Sequence, residues 1–260
     1  MFTEWKRDIR HVTKMLKEHI VWLLFYMLGV MGNSLWMIRT AMVIWQSYYL
    51  NSKGSIVDLF LFFQQPWNFG ILIMPGTMLI IQKIWDEQFE GQYLISHITR
   101  KNVWGKRWRC SVILAIFFSA FLIIIQALIG RLFLGEWTNW SQSESLFYAY
   151  TGELMKGGFI KVGIVIYVMY LLKILLDTTL LSCISWNKRG KLIFWVFIVI
   201  QSGLELRQEG FPVFYQFFEV SYQVWGKNEV IGIKVLVGVI VVALIWAIGR
   251  VVTEKKDFYL

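Results

Sequence analysis

Six long apolar stretches alternate with polar segments along this chain. A helix needs roughly 20 apolar residues to cross the hydrocarbon core of a membrane. Most of the stretches reach that length, and the fifth is the shortest. The pattern therefore predicts an all-α integral membrane protein with six transmembrane helices. The predicted spans are 20–38, 59–85, 110–134, 159–185, 192–206 and 230–249.

Lysine and arginine are distributed unevenly over the segments that connect these spans. If the segments alternate between two sides, 17 of the 26 basic residues fall on the side of the N-terminus and six on the other, with three inside spans. Lys83 and Arg131 are counted here with the loops they adjoin. Short cytoplasmic loops are enriched in Lys and Arg. We therefore expect both termini in the cytoplasm, and the chain in a bacterial cell (plasma) membrane.

The composition agrees with a membrane protein. Of the 260 residues 57 % are hydrophobic and 17 % are charged, whereas about a quarter of a soluble domain is charged. Six spans leave no room for a separate soluble domain, so we expect an interfacial helix at 1–19 followed by one transmembrane domain at 20–260. The net charge of +9 indicates attraction to anionic membrane lipids rather than a nucleic-acid partner.

The first 19 residues have the pattern of an amphipathic helix. Apolar side chains recur every three or four residues, which places them on one helical face, and basic side chains occupy the other face. Such a helix lies in the membrane interface. It is either a plain anchor or an elbow helix that leads along the inner leaflet into the first span. The expected interface anchors are Trp5, Lys6, Arg7 and Arg10.

Two of the predicted spans contain polar or charged residues that need polar partners inside a membrane. The second span is interrupted by Gln64-Gln65-Pro66-Trp67-Asn68, and a proline break survives in a membrane only where neighbours or water satisfy the freed backbone groups. A kinked helix that faces protein or a cavity is predicted, with a simple bend as the alternative. Lys173 and Asp177 lie one turn apart in the fourth span, where they can neutralise each other or serve as a substrate or coupling contact.

Two connecting segments have unusual composition. The segment 207–229 is rich in aromatic residues, which favour the interface, and we interpret it as a short hairpin that dips into the outer leaflet before the sixth span. The loop 86–109 begins acidic, becomes apolar at Tyr93 and Leu94, and ends strongly basic. Acid before base suits a helix dipole, and the exposed apolar residues suit docking to a soluble partner.

This loop and its surroundings resemble the permeases of type 2 ABC transporters. The shared features are an acidic pair after the second span, a glycine, a short apolar helix and a Thr-Arg…Trp…Lys run into the third span. The elbow helix, the six spans and the hairpin before the last span also match. In that family the loop is a cytoplasmic coupling helix that fits a cleft on the ATPase subunit. The resemblance covers nearly the whole chain as architecture, but about twenty residues as motif.

The resemblance assigns roles to individual residues of the loop. Two glutamates would lie near the ATPase cleft, a glycine would permit the turn, and an arginine would anchor the helix at the membrane. The expected coupling residues are Glu87, Glu90, Gly91, Tyr93, Leu94 and Arg100. An ordinary solvated loop with cytoplasmic positive charge is the alternative reading of the same positions.

The resemblance also implies partners. The chain has no Gly-x-x-x-x-Gly-Lys-Ser/Thr phosphate loop and no expected cofactor of its own, so ATP and Mg²⁺ would bind to two separate ABC ATPase subunits. The translocation path would form with a second copy of the chain or a homologous permease. The aromatic content favours an amphipathic substrate, such as a peptide, toxin, drug or lipid, which would be exported.

Other functional classes stay open at this stage. The three histidines, His11, His19 and His97, form no metalloprotease motif, so the sequence gives little support to an enzyme. A secondary transporter would use ionisable residues in the middle of the membrane, for which Lys173 and Asp177 are the candidates. A membrane scaffold or sensor component without transport activity is the remaining alternative.

Overall fold

The computed structural model describes residues 2–42, 47, 52–65, 68–88, 100–156, 158–185, 189–205 and 214–255. Over these residues the chain is all-helical and contains no β-strand, as the sequence predicts. A π-helical turn, Met37–Met42, extends the second helix, and another, Phe69–Ile73, precedes the fourth. The helices are α1 Phe2–Glu18, α2 Ile20–Trp36, α3 Ile56–Phe63, α4 Met74–Gln88, α5 Arg100–Phe133, α6 Leu146–Thr151, α7 Phe159–Ile184, α8 Gly190–Glu205, α9 Phe214–Phe217 and α10 Asn228–Lys255.

Five helical segments of the described chain are long and apolar enough to cross a membrane. The fifth predicted span, 192–206, coincides with α8, which is apolar but has only 16 residues. Large apolar side chains on the outside of α2, α8 and α10 are exposed, as in a bundle surrounded by lipid. These features indicate a multi-pass membrane protein. The five segments are Ile20–Thr40, Phe69–Asp86, Asn102–Phe133, Phe159–Ile184 and Asn228–Glu254.

The second predicted span is divided rather than continuous. Helix α3 ends at Phe63, and the amides of Gln64 and Gln65 bond to carbonyls only three residues back. The chain then resumes through the π-helical turn into α4. The division falls at the polar, proline-containing stretch, where the helical hydrogen-bond ladder is broken. The span predicted over 59–85 is therefore divided between α3 and the helical stretch from Phe69 onward, at the interruption that the sequence predicts.

Helix α7 lies at the centre of the bundle, where it packs along α5 and α10 and also contacts α3, α4 and α8. At one end, called here the basal end, Asp8 of α1 pairs with Arg109 of α5 at 2.6 Å, and α4 meets α8. At the opposite, distal end, the Lys53 ammonium lies 2.8 Å from the Glu144 carboxylate. These two ion pairs therefore mark the basal and the distal end of the bundle.

Helix α1 is amphipathic, and its apolar face is partly covered by protein. Val12 and Leu16 are buried, whereas Ile9 on the same face is 48 % exposed. The predicted anchors Lys6, Arg7 and Arg10 are exposed and Trp5 is half-buried. Helix α1 is attached to the bundle by its contacts with α5, to which the buried Asp8 carboxylate contributes. The exposed part of its apolar face remains open to lipid.

The predicted outer-leaflet position of the aromatic segment before α10 stays a prediction. Its described part, 214–227, packs among the helices. Its rings carry hydroxyl groups that find carboxylate partners inside the bundle, which an exposed position in the leaflet would not provide. The buried residues are Tyr215, Phe218, Val220, Tyr222 and Trp225.

The packing of α10 yields a stability prediction. A Cβ atom added at Gly249 would lie 2.5 Å from the Cys183 sulfur and still closer to the Trp104 ring. We expect Gly249→Ala to lower the free energy of unfolding by about 1–3 kcal/mol, the usual cost of overpacking. Gly232→Ala is the matched control on the same helix, because no atom lies within 4 Å of its added Cβ. Thermal midpoints in detergent measure both, and equal midpoints would contradict the packing.

Candidate functional site

Polar and charged side chains meet in the middle of the bundle, where the interrupted helix faces α7. We call this group the polar centre. It is surrounded by apolar residues, and its members come from the interruption, from α7 and from α9. The polar centre consists of Gln64, Asn68, Lys173, Asp177 and Tyr215, and all five are buried.

Lys173 satisfies a carbonyl that the interruption releases. The amide of Asn68 bonds to the Gln65 carbonyl at 3.0 Å, so the Gln64 carbonyl lacks the helical partner it would have in a continuous helix. The Lys173 ammonium donates to this carbonyl at 3.3 Å. The same ammonium lies 4.6 Å from the centroid of the Phe69 ring, a favourable position for a cation. Lys173 therefore holds the two sides of the interruption together.

Asp177 fixes the aromatic segment to α7. The Tyr215 hydroxyl donates a hydrogen bond to its carboxylate, and the Tyr215 ring packs edge-on against Phe69 at 5.4 Å between centroids. Tyr215 also approaches Gly70 so closely that a Cβ there would lie 3.2 Å from the ring. The Gly70 carbonyl accepts a hydrogen bond from Ser202 of α8 at 2.8 Å. A second carbonyl near the interruption is thus bound by another element.

The predicted pair Lys173 and Asp177 lies where the sequence places it, one turn apart and inside the bundle. In addition, each side chain binds a different element. Lys173 contacts the interruption and Asp177 contacts α9. The two charges therefore connect three parts of the fold, beyond the neutralisation within α7 that the sequence indicates.

Several buried amide groups around the polar centre have no partner within the described chain. Asn33 of α2 donates to the Asn68 side chain at 2.5 Å, but its own carbonyl oxygen and the Asn68 amide nitrogen have none. The Gln64 amide nitrogen and both polar atoms of Gln201 are in the same state. Buried polar atoms normally bind protein, water or ligand. These amide groups can therefore form hydrogen bonds with a polar substrate or with ordered water.

A third charge, Glu219, lies beside the centre, in the segment between α9 and α10. Burial raises the pKa of its carboxyl, while the positive charges of Lys173 and Lys234 act in the opposite direction. Lys234 also donates to the Glu219 carbonyl at 2.7 Å. The next amide, that of Val220, donates to the Gln64 side chain at 3.0 Å. The segment after α9 is therefore fastened to the interruption at several points.

A second buried carboxylate, Asp58, organises the distal end. It accepts hydrogen bonds from Trp140 Nε1 at 2.8 Å and from the Tyr222 hydroxyl at 2.7 Å. The amide and the hydroxyl of Ser55 donate to it at 2.7 Å each, so Asp58 also caps the start of α3. We call Ser55, Asp58, Trp140 and Tyr222 the distal cluster. It joins α3 to two connecting segments.

The predicted coupling residues lie largely outside the described chain. Glu90, Gly91, Tyr93 and Leu94 fall in 89–99, which the structure does not describe. Glu87 belongs to the last turn of α4 and Arg100 begins α5, but their side chains are not described either. Their role as ATPase contacts stays a prediction. It is consistent with the positions of α4 and α5, which flank the predicted coupling segment in the sequence.

Sequence reasoning missed several of these residues. Asp58 lies just before the second predicted span and was not singled out, although Ser55 and Asp58 have the spacing of a capping box. Tyr215 belongs to the aromatic segment, but no local pattern indicates its partner. Gln201 is a polar residue in the mostly apolar helix α8. A polar residue in such a helix is a sequence signal for a buried polar site.

The comparisons with known proteins add no family. No protein-family model, no curated protein and no solved structure matches the chain. Function must therefore be argued from the chain itself.

Proposed function

We propose that the chain is the permease subunit of an ATP-driven ABC exporter in a bacterial plasma membrane. It would form the translocation path for an amphipathic substrate, such as a peptide, toxin, drug or lipid, together with a second permease copy or a homologous permease. Two ABC ATPase subunits would bind ATP and Mg²⁺ and carry out hydrolysis, so the chain itself would have no catalytic role. Both termini and the basal end would face the cytoplasm.

The observation that carries this proposal is the course of α4. The chain runs from the interruption, through the π-helical turn Phe69–Ile73, into α4, which ends at Gln88. Helix α5 begins at Arg100. The proposed coupling segment is therefore joined to the polar centre by one helical stretch. Closure of the ATPase pair would displace this segment, and α4 would transmit the movement to the interruption, where a divided helix can bend.

The order of the other elements supports the same proposal. An amphipathic α1 packs on the basal part of α5, the helix that follows the proposed coupling segment in the sequence. The short α8 is followed by the buried segment 214–227 and then by α10. Most of the surface of the membrane-crossing helices is apolar, and exposed side chains include Trp22, Phe25 and Leu236. Such a surface suits lipid, a second permease and an amphipathic substrate that enters from the membrane.

The first test is purification of the complex from its native membrane in a gentle detergent. We expect a protein with a phosphate-binding loop to co-purify at about one copy per permease. A clean preparation without an ATPase would overturn the exporter proposal and favour the alternatives.

Charge reversal tests the coupling residues directly. We expect Glu87→Lys and Glu90→Lys each to reduce co-purification of the ATPase, and the double variant to reduce it more, because opposite charges would be brought to the cleft. Glu153→Lys is the matched control, since Glu153 is an exposed carboxylate at the distal end. The recovered ATPase per permease is measured by quantitative mass spectrometry. If the double variant retains as much ATPase as the control, the assignment of these glutamates is wrong.

A secondary transporter is the second candidate, and the polar centre is the observation that favours it. Transporters of this kind bind their substrates and coupling ions at interrupted helices near the middle of the membrane. The chain has such an interruption beside Lys173, Asp177 and Glu219. A transmembrane scaffold or sensor would not need these groups for activity.

A further inference from the structure

A polar pocket of about 350 Å³ opens at the basal end, between the ends of α4 and α7 and the starts of α5 and α8. Its volume is at the lower limit for ligand pockets, which suits a small polar group rather than a large molecule. It is separate from the polar centre and contains none of the predicted coupling residues. The lining residues are Gln82, Trp85, Asp86, Arg107, Leu181, Ser185 and Lys191.

The pocket has an excess of positive charge. Lys191 and Asp86 form an ion pair at 2.6 Å, and both side chains are about half-exposed. Arg107 is buried, with 6 % exposure, and the Asp86 carboxylate also acts on it electrostatically. Two cations therefore share one carboxylate among the lining residues, and the pocket carries one net positive charge.

The buried guanidinium is held in a fixed position. Arg107 donates to the Ser182 carbonyl at 3.4 Å and to the Ser185 hydroxyl at 3.0 Å. Its carbon lies 5.9 Å from the centroid of the Trp85 ring. Opposite, Trp195 donates to the Gln82 side chain at 2.6 Å, which fixes the position of Gln82 in the lining. A positioned guanidinium requires little reorganisation before it binds an anion.

We propose that this pocket binds a phosphate group. A guanidinium fork, an ammonium and a hydroxyl are the donors that recognise phosphate oxygens, and the first turn of α8, which begins at Gly190, adds the positive end of a helix dipole. Basic pockets between transmembrane helices on the cytoplasmic side bind the headgroups of anionic lipids. A membrane phospholipid or a small soluble phosphate can supply the group. The inference does not depend on which substrate the protein transports.

The test is a ligand titration of the full chain, purified in mild detergent and depleted of lipid. Phosphatidylglycerol, diacylglycerol with the same acyl chains, and inorganic phosphate are added separately at constant ionic strength, and the thermal midpoint is followed. We expect phosphatidylglycerol to raise the midpoint and diacylglycerol to have no effect. If inorganic phosphate raises the midpoint and phosphatidylglycerol does not, the pocket binds a soluble phosphate rather than a lipid headgroup. If neither phosphate compound changes the midpoint, the proposal is wrong.

Variants locate the effect in the pocket. Arg107→Gln and Lys191→Gln should each weaken the apparent affinity for the phosphate compound roughly tenfold, the effect of losing one charge-assisted contact. Asp86→Asn should strengthen it, because the competing carboxylate is removed. A residue with only a structural role would not produce such a gain. Lys191 is half-exposed, so its variant remains informative if Arg107→Gln does not fold.

Lys83→Gln is the matched control. Lys83 lies on the same helix as Gln82 and Asp86, but its ammonium stacks on Trp22 at 4.0 Å, on another side of α4. We expect this variant to bind like the unmodified chain. If Lys83→Gln weakens binding as much as Lys191→Gln does, the ligand is attracted by general surface charge and the pocket proposal is overturned.

Discussion

Replacement of Asp58 by alanine should lower the free energy of unfolding by roughly 3 kcal/mol or more, because several buried donors lose one shared acceptor. Trp140 Nε1, the Tyr222 hydroxyl and the Ser55 amide all donate to this carboxylate. Each buried donor left without a partner costs about 1–3 kcal/mol. The distal cluster joins three segments of the chain, so we expect its loss to loosen the whole distal end.

Single-donor variants show how this loss is divided. Tyr222→Phe removes one donor but leaves the carboxylate with its other partners, so it should cost about 1–2 kcal/mol. Trp140→Phe should cost more, because it also leaves a cavity beside Phe147 and Trp225. Thermal midpoints of the purified chain in one detergent allow the comparison. We expect the double variant to differ from the sum of the two, because both donors bind the same Oδ1 atom.

Lys53→Ala is the control for Asp58→Ala. It breaks the ion pair with Glu144 at the same end of the bundle, but both groups are exposed to solvent, and exposed pairs contribute little to stability. Its midpoint should remain close to that of the unmodified chain. If Asp58→Ala behaves in the same way, the distal cluster has no structural importance.

The parts of the fold that depend on local pattern could be predicted from the sequence. The predicted fourth span, 159–185, coincides with α7 Phe159–Ile184, and the amphipathic segment 1–19 coincides with α1 Phe2–Glu18. Apolar length and helical periodicity are properties of neighbouring residues, so they can be seen without a structure. The polar stretch at Gln64 also marked the interruption, because proline and amides are incompatible with an apolar helix.

The contacts of the polar centre could not be predicted in this way. Lys173 binds the Gln64 carbonyl across 109 positions, and Tyr215 binds Asp177 across 38. Hydropathy does not encode which distant segments meet. Aromatic residues that face lipid have the same pattern as those that face protein, so the sequence did not show which rings of the segment before α10 pack against the helices. The sequence marked the charges, and only the packing shows what they hold together.

A second large effect is expected at the polar centre. Asp177→Ala should lower the free energy of unfolding by about 3–5 kcal/mol, the cost of removing one member of a buried charge group, since the Tyr215 hydroxyl loses its acceptor and a carboxylate one turn from the Lys173 ammonium disappears. Asp177→Asn should cost less, because an amide oxygen can still accept from Tyr215. Thermal midpoints in detergent measure both. Equal midpoints for the two variants would show that the Tyr215 hydrogen bond adds nothing.

A double variant that removes the charges of both Lys173 and Asp177 tests whether the two side chains stabilise each other. We expect the double variant Lys173→Met, Asp177→Asn to be more stable than the sum of its single effects predicts, because neither charge is then left without its neighbour. Purely additive losses would mean that the two charges do not interact.

The same double variant distinguishes the two candidate functions. In the exporter proposal the charges hold the interrupted helix in place, so a folded neutral variant should still export an amphipathic peptide in vesicles that contain the ATPase. A secondary transporter depends on ionisable groups at its interruption, so the neutral variant would fold but lose transport. Export that persists without these charges would therefore mean that their role is structural, whereas its loss in a stable variant would mean that the substrate or a coupling ion binds there.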